Sequence, residues 1–188
     1  SASLKFAADP QLKPVFVQAD TALFGVGSNQ FFDLTEACAY ASAASSKTVV
    51  LLNSGIVQGN HVIPAGVTLL IPFNSGHTAY GSSASCTSGF MNNAAWVQPT
   101  AYRTLTLAGG ANLTVNGTLS VPARHYRSGG RPVGKYGHMA LSEGSTVKVN
   151  GKLYAYGYIT GKGSVKIMSG ASVYEYFQII DFRGGTAT

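Results

Sequence analysis

Four stretches of the chain carry one short pattern: Gly66-Val67-Thr68-Leu69-Leu70-Ile71, Gly110-Ala111-Asn112-Leu113-Thr114-Val115, Gly144-Ser145-Thr146-Val147-Lys148-Val149 and Gly170-Ala171-Ser172-Val173-Tyr174-Glu175. Each sets a Gly, a small or short residue and one spacer ahead of a strand with alternating apolar positions. Two continue through the same turn, as Val115-Asn116-Gly117-Thr118-Leu119 and Val149-Asn150-Gly151-Lys152-Leu153. Repeated short strands with Gly turns predict a β-solenoid, in which no strand buries its apolar face until the next coil stacks on it. The intervals between the four glycines are 44, 34 and 26 residues. They shrink once two excursions, 73–100 and 122–138, are passed. The last interval is therefore expected to approximate one coil. Lys148 alternates with Val147 and Val149, and Lys166 with Val165 and Ile167, which predicts an apolar inner face and a polar outer one.

The remaining elements follow from local chemistry. Residues 1–30 read as lead-in strands, because Pro10 and Pro14 break any helix there. Asp33 can cap a helix, with Glu36 three residues on as in a capping box. That helix, 33–44, puts Leu34, Ala37, Cys38 and Ala41 on one face. Thr48-Val49-Val50-Leu51-Leu52 is a continuous apolar run ended by Asn53-Ser54-Gly55, as expected of a strand buried on both faces. From Met139 to Asp181 short strands recur, most of them separated by Gly or Asn-Gly.

Composition narrows the class. The chain has 188 residues, enough for one domain with a sizeable core, and 23 are Gly while only 11% are charged. Ser, Thr and Asn supply the polar positions, which suits a secreted or cell-surface β protein. No apolar run approaches the roughly 20 residues of a membrane helix. Cys38 and Cys86 allow one disulfide or two separate thiols. With four scattered His they show no metal-ligand spacing, and no cofactor is expected.

The order of a short helix, the run Thr48 to Gly55 and the segment Ile63-Pro64-Ala65-Gly66-Val67-Thr68-Leu69-Leu70-Ile71 resembles the start of right-handed parallel β-helix proteins, the pectate-lyase-like superfamily. The resemblance covers about residues 31–188. It implies an all-β fold, a right-handed parallel β-helix closed at its N-terminal end by the helix. It also implies a module of a longer protein, because the C-terminal coils show no equivalent cap. It does not fix function, since this superfamily includes lyases, hydrolases, adhesins, autotransporter passengers and phage spikes.

An enzyme of this fold needs carboxylates, either an acidic Ca²⁺ cluster or an acid–base pair. The sequence has none between Glu36 and Glu143, and only Glu143, Glu175 and Asp181 beyond. Glu143 and Glu175, beside and within Gly motifs, form the one acidic pair that stacking on adjacent coils would bring together. No catalytic residue is assigned. Binding has more material. Arg124, His125, Tyr126, Arg127, Arg131, Lys135, Tyr136 and His138 crowd the second excursion with no acid among them. Arg forks suit sulfate, phosphate and carboxylate groups, and Tyr faces stack on sugars. Tyr154, Tyr156, Tyr158, Tyr174 and Tyr176 form a second aromatic group that either faces out as a strip or packs in the core.

The net charge of +6 is uneven. Lys5, Lys13 and Lys47 against Asp9, Asp20, Asp33 and Glu36 leave residues 1–100 at −1, and ten Lys or Arg against three acids leave 101–188 at +7. That asymmetry points to an anionic partner or an acidic neighbouring module. The expected function is a non-catalytic stalk or adhesin of a bacterial-type surface protein. Its partners would be an anionic glycan or wall polymer and the neighbouring domains of the same chain. Nucleic acid is disfavoured for want of a known module. The alternative is a carbohydrate-active β-helix, lyase-like or hydrolase-like, with catalytic coils outside this stretch.

Overall fold

The computed structural model describes residues 21–73, 100–128, 131–175, 180–181 and 186–188. The lead-in up to residue 20 and most of the first excursion, 74–99, lie outside them. Among the described residues the class is all-β with one helix. The elements are β1 (Phe24–Val26), β2 (Asn29–Phe31), α1 (Leu34–Ala43), β3 (Thr48–Leu51), β4 (Gly55–Val57), β5 (Asn60–Ile63), β6 (Thr68–Leu70), β7 (Thr100–Leu107), β8 (Asn112–Val115) and β9 (Thr118–Val121). They continue as β10 (Ala123–Ser128), β11 (Arg131–Leu141), β12 (Thr146–Val149), β13 (Lys152–Ala155), β14 (Tyr158–Gly161), β15 (Ser164–Ile167), β16 (Ser172–Glu175), β17 (Ile180–Asp181) and β18 (Thr186–Ala187).

Three sheets contain them. The first runs β16-β13-β9-β6-β3-β1-β2, the second β17-β14-β11-β7-β4 with β10 attached to β11, and the third β18-β15-β12-β8-β5. From β3 onward the chain visits first, second and third sheet in that order, round after round. Pairing between rounds is parallel throughout. Only β1 against β2 and β3, and β10 against β11, are antiparallel. This arrangement is compatible with a β-helix-like solenoid.

The round is shorter than the glycine intervals suggest. Thr48 pairs with Thr68 and Lys152 with Ser172, each 20 residues on, and Val147 with Val165, 18 on. The 26-residue interval is not a round, because the four glycines occupy two different corners. Gly110 and Gly144 lead from second to third sheet, whereas Gly66 and Gly170 lead from third to first. All four have φ between 78° and 87°. In each turn the residue after the Gly donates its N–H to the carbonyl three residues back: Val67 to Pro64, Ala111 to Ala108, Ser145 to Ser142 and Ala171 to Met168, at 3.0–3.1 Å. A positive φ at the third residue is what a type II turn requires, so Gly belongs there.

The Asn-Gly corners work differently. Asn116 and Gly117 both donate to Ile63 O, and Asn150 and Gly151 both donate to Val115 O, one round below. Asn150 Nδ2 also donates to Asn116 Oδ1 at 2.8 Å. A Cβ on Gly151 would strike the carbonyl oxygens of Gly117 and Asn116. Gly is needed here because two rounds meet, not because of its φ.

Inward positions stack in rows: Val49, Leu69, Leu119 and Leu153 in the first sheet, and Leu113, Val147 and Val165 in the third, all at most 2% exposed. The helix packs against β1, β3 and β5 of the first round. Asp33 accepts the Glu36 N–H at 2.9 Å, and Leu34, Ala37, Cys38 and Ala41 are buried, as the sequence pattern expects. His61 takes the inward position below Leu113 and is still satisfied. Its Nε2 donates to Gln58 O at 2.7 Å, and its Nδ1 lies 2.9 Å from the Thr35 hydroxyl of the helix, which serves as donor or acceptor. Cys38 is a free thiol. Burial, helped by the Asp33 charge, pushes its pKa up to about 12. At the other end, the inward residue Val173, partner of fully buried Leu153, is 38% exposed.

Two glycine variants separate the two roles. Gly170→Ala meets open space and only a strained φ, a cost of about 1–2 kcal/mol. Gly151→Ala must push two rounds apart and is expected to cost about 3 kcal/mol or more. Urea midpoints ranking Gly170→Ala as the more damaging would contradict the stacking. The Cys38 thiol should resist thiol reagents in the folded protein and react on unfolding.

Candidate functional site

The second excursion is a hairpin. β10 and β11 pair in the register Arg124 with Lys135, His125 with Gly134, Tyr126 with Val133, Arg127 with Pro132 and Ser128 with Arg131. β11 does not stop there. Lys135 already pairs in parallel with Thr100, and the strand continues beside β7 to Leu141. The eight residues singled out in the sequence therefore divide. Arg124, His125, Tyr126, Arg127, Arg131 and Lys135 lie on the hairpin, and their side chains fall outside the described structure. Tyr136 and His138 belong to the body of the second sheet.

Met139, Leu105 and Ile159 point inward and are at most 1% exposed, so their neighbours in the chain face out. His138 lies between Thr104 and Tyr158 in register. Its Nδ1 is 3.1 Å from Thr104 Oγ1 and its Nε2 is 2.7 Å from Thr160 Oγ1. In the neutral ring one nitrogen donates and the other accepts, and Thr hydroxyls serve either role. Burial holds the His138 pKa below the ordinary value of 6.5. Tyr136 packs on Tyr158 with ring centroids 4.1 Å apart, and edge-on to His138 at 6.1 Å. Burial raises the Tyr136 phenol pKa, while a backbone hydrogen bond from Ala101 pulls it down. Arg103 beside this face donates to Leu51 O at 2.8 Å and to the Tyr102 hydroxyl at 3.0 Å, and stacks over the Tyr102 ring.

The late tyrosines are also placed. Leu153, Ala155 and Ile159 take the inward positions, which leaves Tyr154, Tyr158 and Tyr174 outward. Tyr154 and Tyr174, register partners one round apart, stack at 4.6 Å and 12°. Tyr156 is buried, and Tyr176 lies outside the described residues.

The acids are not brought together by the backbone. Glu143 is exposed in the turn before β12, Glu175 ends β16 in the first sheet, and Asp181 lies in the second sheet, paired with Thr160. Among the described residues, no group of three or more His, Cys, Asp or Glu could hold a metal ion. No described helix is long and apolar enough to cross a membrane. No protein-family model, curated protein or solved structure matches the chain.

The His138–Thr104–Thr160 network was not legible in the sequence, because its members are 34 and 22 residues apart. A round of about 20 residues, once known, relates 138 to 158 and 154 to 174 directly.

The low pKa of His138 has a measurable sign. Below pH 6.5 the unfolded chain takes up a proton on this ring before the folded protein does. More protons are then bound in the unfolded state, so stability falls as pH drops through that window. His138→Gln removes this contribution. The stability gap between wild type and His138→Gln should shrink from pH 7.5 to pH 5.5 in urea titrations. A gap that widens would contradict the burial of the neutral ring.

Proposed function

We propose that this chain is a right-handed parallel β-helix module of a secreted or cell-surface protein, serving as a rigid stalk or adhesin that holds an anionic glycan or cell-wall polymer. The observation that carries the reading is the position of the tilted Tyr136–Tyr158 ring pair and His138 at the base of a hairpin bearing Arg124, Arg127, Arg131 and Lys135. Aromatic faces give sugar rings a stacking platform, Thr hydroxyls give them hydrogen bonds, and Arg forks suit carboxylate or sulfate. The hairpin carries no acid to compete. Both His138 ring nitrogens already have Thr partners, which favours holding a ligand over moving protons. Cross-round backbone pairing gives the stiffness a stalk requires.

One observation favours a second reading, a carbohydrate-active enzyme. Asp181 sits one round from Thr160, which itself contacts His138. An acid–base centre would then have to assemble around that carboxylate.

Binding to a panel of anionic and neutral glycans at low and high salt tests the first reading. An Arg124→Ala/Arg127→Ala/Arg131→Ala variant should lose about tenfold in affinity at low salt, and high salt should weaken the wild type similarly. Tyr136→Ala should weaken binding at both salt concentrations. Unsaturated sugar product or new reducing ends, abolished by Asp181→Asn, would replace the adhesin reading with the enzymatic one. No binding to any glycan would leave a spacer.

A further inference from the structure

The outer face of the third sheet carries a second feature that the hairpin reading does not use. A groove of about 410 Å³ crosses four rounds there, lined by Asn60, Asn112, Thr114, Thr146, Lys148 and Lys166 among others. Register explains its shape. The outward row reads Val62, Thr114, Lys148, Lys166, so short side chains in the first two rounds give way to two long cationic ones. The neighbouring row begins Asn60, Asn112, Thr146, and Asn112 Nδ2 donates to Asn60 Oδ1 at 2.8 Å.

Lys148 and Lys166 are direct register partners on adjacent parallel strands, both exposed. Like charges placed side by side on a sheet are unfavourable. No described acid relieves them. Glu143 lies in the adjoining turn, yet no ion pair joins it to either lysine among the described residues. The pair therefore gains from an anion that spans both ammonium groups, whose strands are about 4.8 Å apart. The floor offers hydroxyl and carboxamide groups, suited to a polyhydroxylated chain. Its described lining contains no Phe, Tyr or Trp ring on which a nucleic-acid base could stack, and the one imidazole, His61, is buried and hydrogen-bonded to Thr35 and Gln58.

We propose that the third-sheet groove binds a linear anionic polysaccharide, with Lys148 and Lys166 holding its acidic groups and the Asn60–Asn112 and Thr114–Thr146 floor holding its hydroxyls. This site lies on a different sheet from the hairpin and does not depend on it.

Dextran sulfate is the probe, with neutral dextran and an oligothymidylate as comparisons, measured by titration calorimetry at low salt. Lys148→Gln/Lys166→Gln should weaken dextran sulfate binding about five- to tenfold. Lys47→Gln/Lys152→Gln removes the same charge away from the groove and should cost less than about twofold. Lys148→Arg/Lys166→Arg should restore binding, which loss of fold could not do. Equal losses in the two Lys→Gln variants would reduce the effect to bulk charge and overturn the site. Tighter binding of the oligothymidylate than of dextran sulfate would overturn the polysaccharide assignment. The Arg124→Ala/Arg127→Ala/Arg131→Ala protein separates the two proposals. If it keeps its dextran sulfate affinity while Lys148→Gln/Lys166→Gln loses it, the groove stands and the hairpin reading fails. The reverse pattern overturns the groove alone.

Discussion

Everything in this structure depends on backbone hydrogen bonds between rounds. From β3 onward, the β10–β11 hairpin apart, the ladder partner of each strand lies in another round, 18–22 residues away where no excursion intervenes. Outside the β10–β11 hairpin no described strand from β3 onward has a partner within its own round, so one round cannot hold itself together, and stability comes from stacking. The corners obey the same rule: the amides of Asn116, Gly117, Asn150 and Gly151 all reach carbonyls one round below. The tolerance is small at the Asn-Gly corners, because Gly117 and Gly151 lie against backbone where a methyl group would collide.

Stacking in register also copies chemistry from one round to the next. Asn150 lies over Asn116, Tyr174 over Tyr154, Lys166 beside Lys148 and Asn112 beside Asn60. Each of these pairs sets like side chains at the strand spacing of about 4.8 Å. Such rows suit an extended polymer better than a small molecule held in a closed pocket. Two outward faces have this character, an aromatic and imidazole one on the second sheet and a cationic one on the third. The positive excess of the C-terminal half is consistent with both.

What could be read from the sequence was what is local. The helix was expected over 33–44 and spans Leu34–Ala43, with the same four residues buried, because amphipathic spacing and an Asp cap are short-range signals. Strand alternation was equally legible around Lys148; around Lys166 only Val165 is buried, and Ile167, expected on the same inner face, is exposed. The size of the round was not. One Gly turn serves two corners, and a φ near 80° marks a turn without saying which corner it makes. The hairpin was obscured by Gly129, Gly130, Pro132 and Gly134, which read as loop, although Pro fits an antiparallel edge. The hydrogen bonds of His138 were invisible because both partners, Thr104 and Thr160, come from other rounds.

Inter-round register is the central claim, and disulfide trapping measures it directly. In a Cys38→Ala/Cys86→Ala background, Thr114→Cys with Lys148→Cys joins register partners on adjacent rounds. Their separation of about 4.8 Å lies within the span a disulfide bridges. Asn112→Cys with Lys148→Cys is offset by two residues on the same face, about 7–8 Å apart and outside easy reach. The account predicts rapid oxidation of the first pair and little of the second. Equal trapping of both, or preference for the offset pair, would contradict it.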